Sequence, residues 1–123
     1  MEVEYELVYL DYYGRAEPTR MLLSHAKASW KDTIVTEEIV KAKKEAGELP
    51  NGQVPVITHK GKVLNESMAI LRYTGNNLGY YPKDEFEAYK VDALIDFVYG
   101  ELEFLGGVNF WGDFRSGMRH KYA

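Results

Sequence analysis

Residues 5–27 run Tyr5-Glu6-Leu7-Val8-Tyr9-Leu10-Asp11-Tyr12-Tyr13-Gly14-Arg15-Ala16-Glu17-Pro18-Thr19-Arg20-Met21-Leu22-Leu23-Ser24-His25-Ala26-Lys27. The segment Tyr5 to Leu10 is apolar or aromatic apart from Glu6, the pattern of a short strand covered on both faces. Asp11-Tyr12-Tyr13-Gly14 breaks that run and reads as a loop. From Ala16 to Lys27 the residues Met21, Leu22, Leu23 and Ala26 recur at helical spacing; Glu17 and Pro18 fall in the first turn, His25 and Lys27 in the last. A strand followed at once by a helix delivers the amino end of the helix to the carboxyl end of the strand. That end is where an α/β sheet holds ligands.

Outward from this unit, Trp30 to Thr36 predicts a second strand, polar enough to lie at an edge. Glu37 to Ala46 has helical composition and closes on Gly47, and Leu49-Pro50-Asn51-Gly52 reads as a turn. Val54 to Thr58 and Lys62 to Leu64 flank Lys60-Gly61, a hairpin signal with Pro55 near the start of its strand. Met68, Ile70, Leu71, Tyr73 and Leu78 mark a further helix beyond Asn65-Glu66-Ser67. The order βαβ then ββα predicts one mixed four-stranded α/β sheet, the plan of thioredoxin-like domains. This domain is expected over residues 1–80. A linker runs from Tyr80 to Asp84 across this boundary, and residues 81–123 then hold a long helix from Asp84 or Glu85 to about Leu105, the beginning of an all-α domain. Apolar residues cover well over half the circumference of that helix, from Phe86 and Tyr89 through Leu94 and Phe97 to Leu105. A single neighbour cannot bury so much, so self-pairing or a longer helical domain is expected. The stretch from Gly106 to Ala123 shows no regular pattern.

Composition removes several classes of function. With 15 basic against 19 acidic side chains and a net charge of −4, no basic stripe is available for a phosphate backbone, and nucleic acid is a poor partner. No apolar run approaches the roughly 20 residues of a membrane span, and Met1-Glu2-Val3-Glu4 lacks the basic opening of a signal peptide, so a cytoplasmic setting is expected. The chain has no Cys, which excludes disulfides, thiolate metal sites and a cysteine nucleophile. His25, His59 and His120 are far apart, and no metal is expected. Sulfur chemistry here requires a sulfur that arrives with the ligand.

The string from Tyr5 to Arg20 resembles the opening of glutathione transferases of the tyrosine type, closest to the sigma class and similar also to alpha, mu and pi. Val54-Pro55, followed by Glu66-Ser67-Met68-Ala69-Ile70-Leu71-Arg72-Tyr73, looks like the second half of the same family's glutathione site. The two stretches together extend the resemblance from residue 5 to about 98. Glutathione has two carboxylates, one ammonium and a thiol that, like a Cys side chain, titrates near 8.5, so a protein that uses it as a nucleophile must favour its thiolate.

The resemblance implies that Tyr9 donates its phenolic proton to the sulfur and that Arg15 supports the thiolate by charge. Taken alone, a Tyr at a strand end is a core aromatic, and Tyr5, Tyr12 and Tyr13 compete with it; only Tyr9 stands at the family's position before Arg15. By the same resemblance, Gln53, Val54 and Pro55 meet the cysteinyl backbone, Pro55 following a cis peptide bond. Ser67 suits the γ-glutamyl carboxylate and Glu66 the ammonium, where many relatives carry Gln; the bland alternative for both is a helix cap. A lysine of the second helix would hold the glycyl carboxylate, Lys44 ahead of Lys41 and Lys43, although three lysines on a short helix more often form a solvated face. A partner subunit's long helix would lend an acid, Asp96 ahead of Glu101 or Glu103. The implied function is a homodimeric, detoxifying transferase that joins glutathione, as co-substrate, to a hydrophobic electrophile. Thiol-disulfide exchange needs a protein Cys and is set aside. The rival is a non-catalytic glutathione-binding or structural member of the family.

Overall fold

A computed structural model describes residues 2–105, the last four by their backbone alone. The chain divides into two compact units, with the boundary after Pro82. In the first unit the strands are β1 (Tyr5–Leu10), β2 (Trp30–Val35), β3 (Val56–His59) and β4 (Lys62–Leu64). They form one four-stranded sheet in the order β2-β1-β3-β4. β1 and β2 are parallel, with Tyr9 opposite Ile34, whereas β3 runs antiparallel to both β1 and β4. The helices of this unit are α1 (Glu17–His25), α2 (Glu37–Glu45) and α3 (Ser67–Asn77), with single 3₁₀ turns at Gly14–Ala16 and Pro50–Gly52. The second unit contributes α4 (Glu85–Leu105).

The period of two along β1 divides the core. Tyr5, Leu7 and Tyr9 point to one face, where they pack with Ile57, with Ala16 and Leu23 from the first crossover, and with Ile70 of α3. Val8 points to the other, with Val35, Leu49 and Val56 under Val40 of α2. Leu7, Leu23, Ile57 and Ile70 are wholly buried; each contributes about 2 kcal/mol of transfer free energy.

Several details depart from the sequence pattern. Thr36 leaves the second strand to cap α2, its hydroxyl accepting the Ile39 N–H at 3.2 Å. β3 begins at Val56, beyond Pro55, which has no N–H to give the ladder. On α1 the buried residues are Thr19, Arg20 and Leu23, while Met21 is 64% exposed, so the helix is rotated from the stripe that Met21 and Leu22 suggest. On α4, Phe86, Tyr89, Leu94 and Phe97 are all exposed, as expected of a helix with apolar residues on several sides. Among the described residues no helix is long and apolar enough to cross a membrane. The expectations for Gly106 to Ala123 lie outside the described residues.

Candidate functional site

Pairing geometry decides which chain ends share an edge of the sheet. Val8 lies opposite Val56, so the carboxyl end of β1 adjoins the entry to β3. Leu64 lies opposite Ile57, so the exit from β4 and the start of α3 come to that same edge. The amino end of α1 follows directly from β1. Tyr9, Arg15, Val54, Pro55, Glu66 and Ser67, distant in sequence, are thereby gathered along one rim. The peptide bond between Val54 and Pro55 is cis, and Val54 packs against the cluster that contains Tyr9.

Tyr9 is 3% exposed, and its hydroxyl ends the ring at the loop side, where it accepts the Arg15 backbone N–H at 3.2 Å. Gly14 makes this fit possible. Its φ is +48°, and a Cβ on it would come within 2.4 Å of the Tyr9 hydroxyl and 2.8 Å of the Tyr12 ring. Only a residue without a Cβ tolerates both the left-handed backbone and the approach. The Tyr12 ring meets Tyr9 edge-on at 5.4 Å between centroids. Tyr13, by contrast, is 75% exposed at the loop tip.

The other half of the rim is the start of α3. Glu66 stands before the helix with φ +70° and ψ 108°, a sparsely populated conformation for a residue with a Cβ. Holding it there costs on the order of 1–3 kcal/mol, and such strain collects where a backbone must be aimed. Its effect is to start the helix abruptly at Ser67 with no side-chain cap, leaving the first N–H groups of α3 and their positive partial charge toward the rim. Ser67 is buried, and among the described residues its hydroxyl has no hydrogen-bonding partner. A buried hydroxyl beside open helix N–H groups is suited to a carboxylate.

Glu66 Oε1 accepts from Asn51 Nδ2 at 3.3 Å, tying α3 to the Pro50–Gly52 turn. On that turn Gly52 has φ +64°, and a Cβ there would meet Lys44 Cε at 2.8 Å, so the Lys44 stem lies over it. Lys43 instead pairs with Glu48 at 3.2 Å. Of the three candidate lysines, Lys44 is the one seen against the turn that leads into Gln53, which is itself exposed. Asp96 and Glu101 are exposed on α4 in the second unit, and the Glu103 side chain lies outside the described residues.

Two residues with a part in this geometry escape sequence reasoning. Asn51 gives a faint signal, since Asn before Gly favours a left-handed turn, and its φ is +56°. Arg20 gives none that marks it as buried, yet it is 9% exposed and reaches from α1 to the β1 exit.

The family model described as "Glutathione S-transferase, N-terminal domain" matches residues 5–76. A glutathione S-transferase of Anopheles gambiae is 33% identical over 95 residues, which cover 77% of this chain and 46% of that protein. Human glutathione S-transferase P is 37% identical over 92 residues, covering 75% and 44%. The chain thus spans somewhat under half the length of these curated relatives. The solved structure of a monomeric glutathione S-transferase from the hookworm Necator americanus superposes with a TM-score of 0.82 at 29% identity, covering 98% of this chain and 58% of that one. With a mixed four-stranded sheet, as expected, and a family match over residues 5–76, the chain belongs to the glutathione S-transferase family.

Proposed function

We propose that the chain binds glutathione along the rim from Tyr9 to Ser67, stabilises its thiolate through the Tyr9 phenol, and presents that thiolate to an electrophilic carbon. The reading is carried by one observation: strand pairing brings the uncapped start of α3, with the buried Ser67, to the sheet edge where β1 ends at Tyr9 and Leu10. The helix start suits the γ-glutamyl carboxylate and the Tyr9 hydroxyl the sulfur. Glu66 takes the ammonium, Gln53, Val54 and Pro55 the cysteinyl backbone, and Lys44 the glycyl carboxylate. The Arg15 N–H donating to the phenol oxygen polarises the O–H and makes it a stronger donor to sulfur, while the Arg15 side chain adds positive charge.

Tyr9 is 3% exposed, and its hydroxyl lies beside the Gly14 backbone, where a sulfur must meet it. Once there, lowering the thiol from about 8.5 to about 6.5 requires about 2.7 kcal/mol of preference for the thiolate. A desolvated phenol donor next to a cationic residue supplies energy of that order. The protein's further contribution is orientation of a nucleophile that already carries its electron pair.

The test is a titration of the bound thiol by ultraviolet thiolate absorbance in the wild type and in Tyr9→Phe. The expected result is an apparent pKa about two units higher in the variant. Equal values would remove Tyr9 from the chemistry and favour the rival, a glutathione-binding module. No binding at all would favour a scaffold. The same proposal makes the functional form a cytoplasmic homodimer, active in detoxification, with Asp96 supplied across the interface. Sedimentation at micromolar concentration checks the association, and a sharply monomeric profile, like that of the monomeric hookworm relative, would remove Asp96 from the site.

A further inference from the structure

An arginine in the middle of a surface helix ordinarily points to water; Arg20 does the opposite. Its side chain is 11% exposed. Burial of a guanidinium is costly unless every face is answered, and here the answers are specific. Nη1 donates to the Tyr12 carbonyl at 2.8 Å and to Glu17 Oε2 at 3.2 Å. Nη2 donates to the Leu10 carbonyl at 3.2 Å, and Nε to Asp32 Oδ1 at 3.2 Å. One planar group therefore holds the two carbonyls between which β1 ends and the loop begins, braced by a carboxylate from α1 and another from β2. An ammonium cannot reproduce that fork.

The same guanidinium carbon lies 5.5 Å from the centroid of the Tyr9 ring. That is within the range over which a cation acts on an aromatic face. Two effects converge on the phenol. The clamp on the Tyr12 carbonyl fixes the segment whose next members place the Gly14 backbone and the Arg15 N–H against the Tyr9 hydroxyl. The positive charge over the ring favours electron density shifting toward the oxygen as the phenol gives up its proton to a hydrogen bond.

We propose that Arg20 is a positioning residue for Tyr9, setting both the place of its hydroxyl and its strength as a donor while never touching the ligand. This rests on the reading of Tyr9 as the thiolate's donor. A merely structural arginine would be needed for stability and for nothing else. A positioning one leaves a mark on the ionisation of the bound sulfur that persists when the site is saturated.

The experiment titrates the thiolate absorbance of saturating glutathione on the full chain in the wild type, Tyr9→Phe, Arg20→Lys and Arg20→Gln, with thermal midpoints measured alongside. Arg20→Gln is expected to leave about 1.5-fold to threefold less thiolate at pH 7, equivalent to a rise of half to one pKa unit from about 6.5. Arg20→Lys, which keeps the charge and loses the fork, is expected to fall between it and the wild type. Should Arg20→Gln not fold, Arg20→Lys decides alone, by a shifted or an unshifted profile. Profiles that coincide with the wild type, whatever the thermal midpoints do, overturn the proposal. If Tyr9→Phe shifts the profile and the Arg20 variants do not, this inference alone falls. If Tyr9→Phe also leaves it unmoved, the reading of Tyr9 falls and takes this one with it.

Discussion

Tyr5 and Tyr9 lie on the same strand, point to the same face and are both 3% exposed, yet their surroundings have opposite characters. Tyr5 stacks on His59 with ring centroids 4.1 Å apart and an interplanar angle of 11°, and it hydrogen-bonds Asn77. His59 Nδ1 in turn meets the Tyr73 hydroxyl at 2.7 Å. Each ring group at that end is answered by a neighbour inside the fold. At the Tyr9 end Gly14 is bent into positive φ against the phenol, and α3 begins without a cap behind Glu66 at φ +70°. A hollow of about 560 Å³ opens at the Tyr5 end, between Glu4, His59, Lys60 and Asn77. At the other end the start of α3 and the buried Ser67 hydroxyl keep hydrogen-bonding capacity that no described residue takes up. We weigh the second more heavily, because a ligand is held by groups that have nothing else to bind.

The contrast is broken most severely at Gly14. Gly14→Ala forces a Cβ to within 2.4 Å of the Tyr9 hydroxyl from a backbone at φ +48°. The expected outcome is a loss of stability of about 2–3 kcal/mol together with loss of the thiolate signal. Urea unfolding and the absorbance titration measure the two parts. A variant as stable and as active as the wild type would mean that this loop does not hold the phenol.

Ser67→Ala sharpens the comparison instead. Because the hydroxyl has no partner among the described residues, stability should change by no more than about 0.5 kcal/mol, while glutathione affinity falls about tenfold through loss of a bond to a carboxylate. Calorimetry on the variant tests this, and an unchanged dissociation constant would take Ser67 out of the binding rim.

The smallest effect belongs to the closed end. Burial, then the nearby Lys60 charge, holds the His59 imidazole below its ordinary pKa, with Glu4 opposing weakly. The fold therefore binds less proton there than the unfolded chain does. Stability should decline as pH drops below about 6.5 and level off under the folded pKa. His59→Phe keeps a ring against Tyr5 and should flatten that part of the dependence of thermal midpoint on pH. The thiolate profile should not move. Were it to move, the two ends would be coupled and the distinction drawn above would fail.

Local patterns made most of the fold legible. The apolar run of β1, the Lys60-Gly61 turn and the periodicity of α3 each state their structure within a few residues, and parallel β1–β2 pairing follows from the crossover helix between them. What escaped was set by contacts between distant segments. Met21 looks like part of the buried stripe of α1, but burying Arg20 against Leu10, Tyr12 and Asp32 rotates the helix and turns Met21 out. Glu66 escaped for a different reason. In Asn65-Glu66 propensity favours positive φ on the Asn, and the chain puts it on the Glu instead. The sequence ranks Lys44 ahead of Lys41 and Lys43 but does not show that its stem lies over Gly52. Within the site, Tyr9 and Ser67 were singled out by resemblance to a family, since a strand-end Tyr and a helix-start Ser are ordinary when taken singly.

The antiparallel β3–β4 pairing has a consequence for assembly. Residues on the first crossover and residues on α3 come to a common rim only after the hairpin has docked on β1. A chain whose hairpin has come away keeps Tyr9 and loses the second grip on a tripeptide. Glutathione should therefore recognise the completed sheet alone and raise its melting temperature with concentration, making a small metabolite the gauge of whether the last two strands are home.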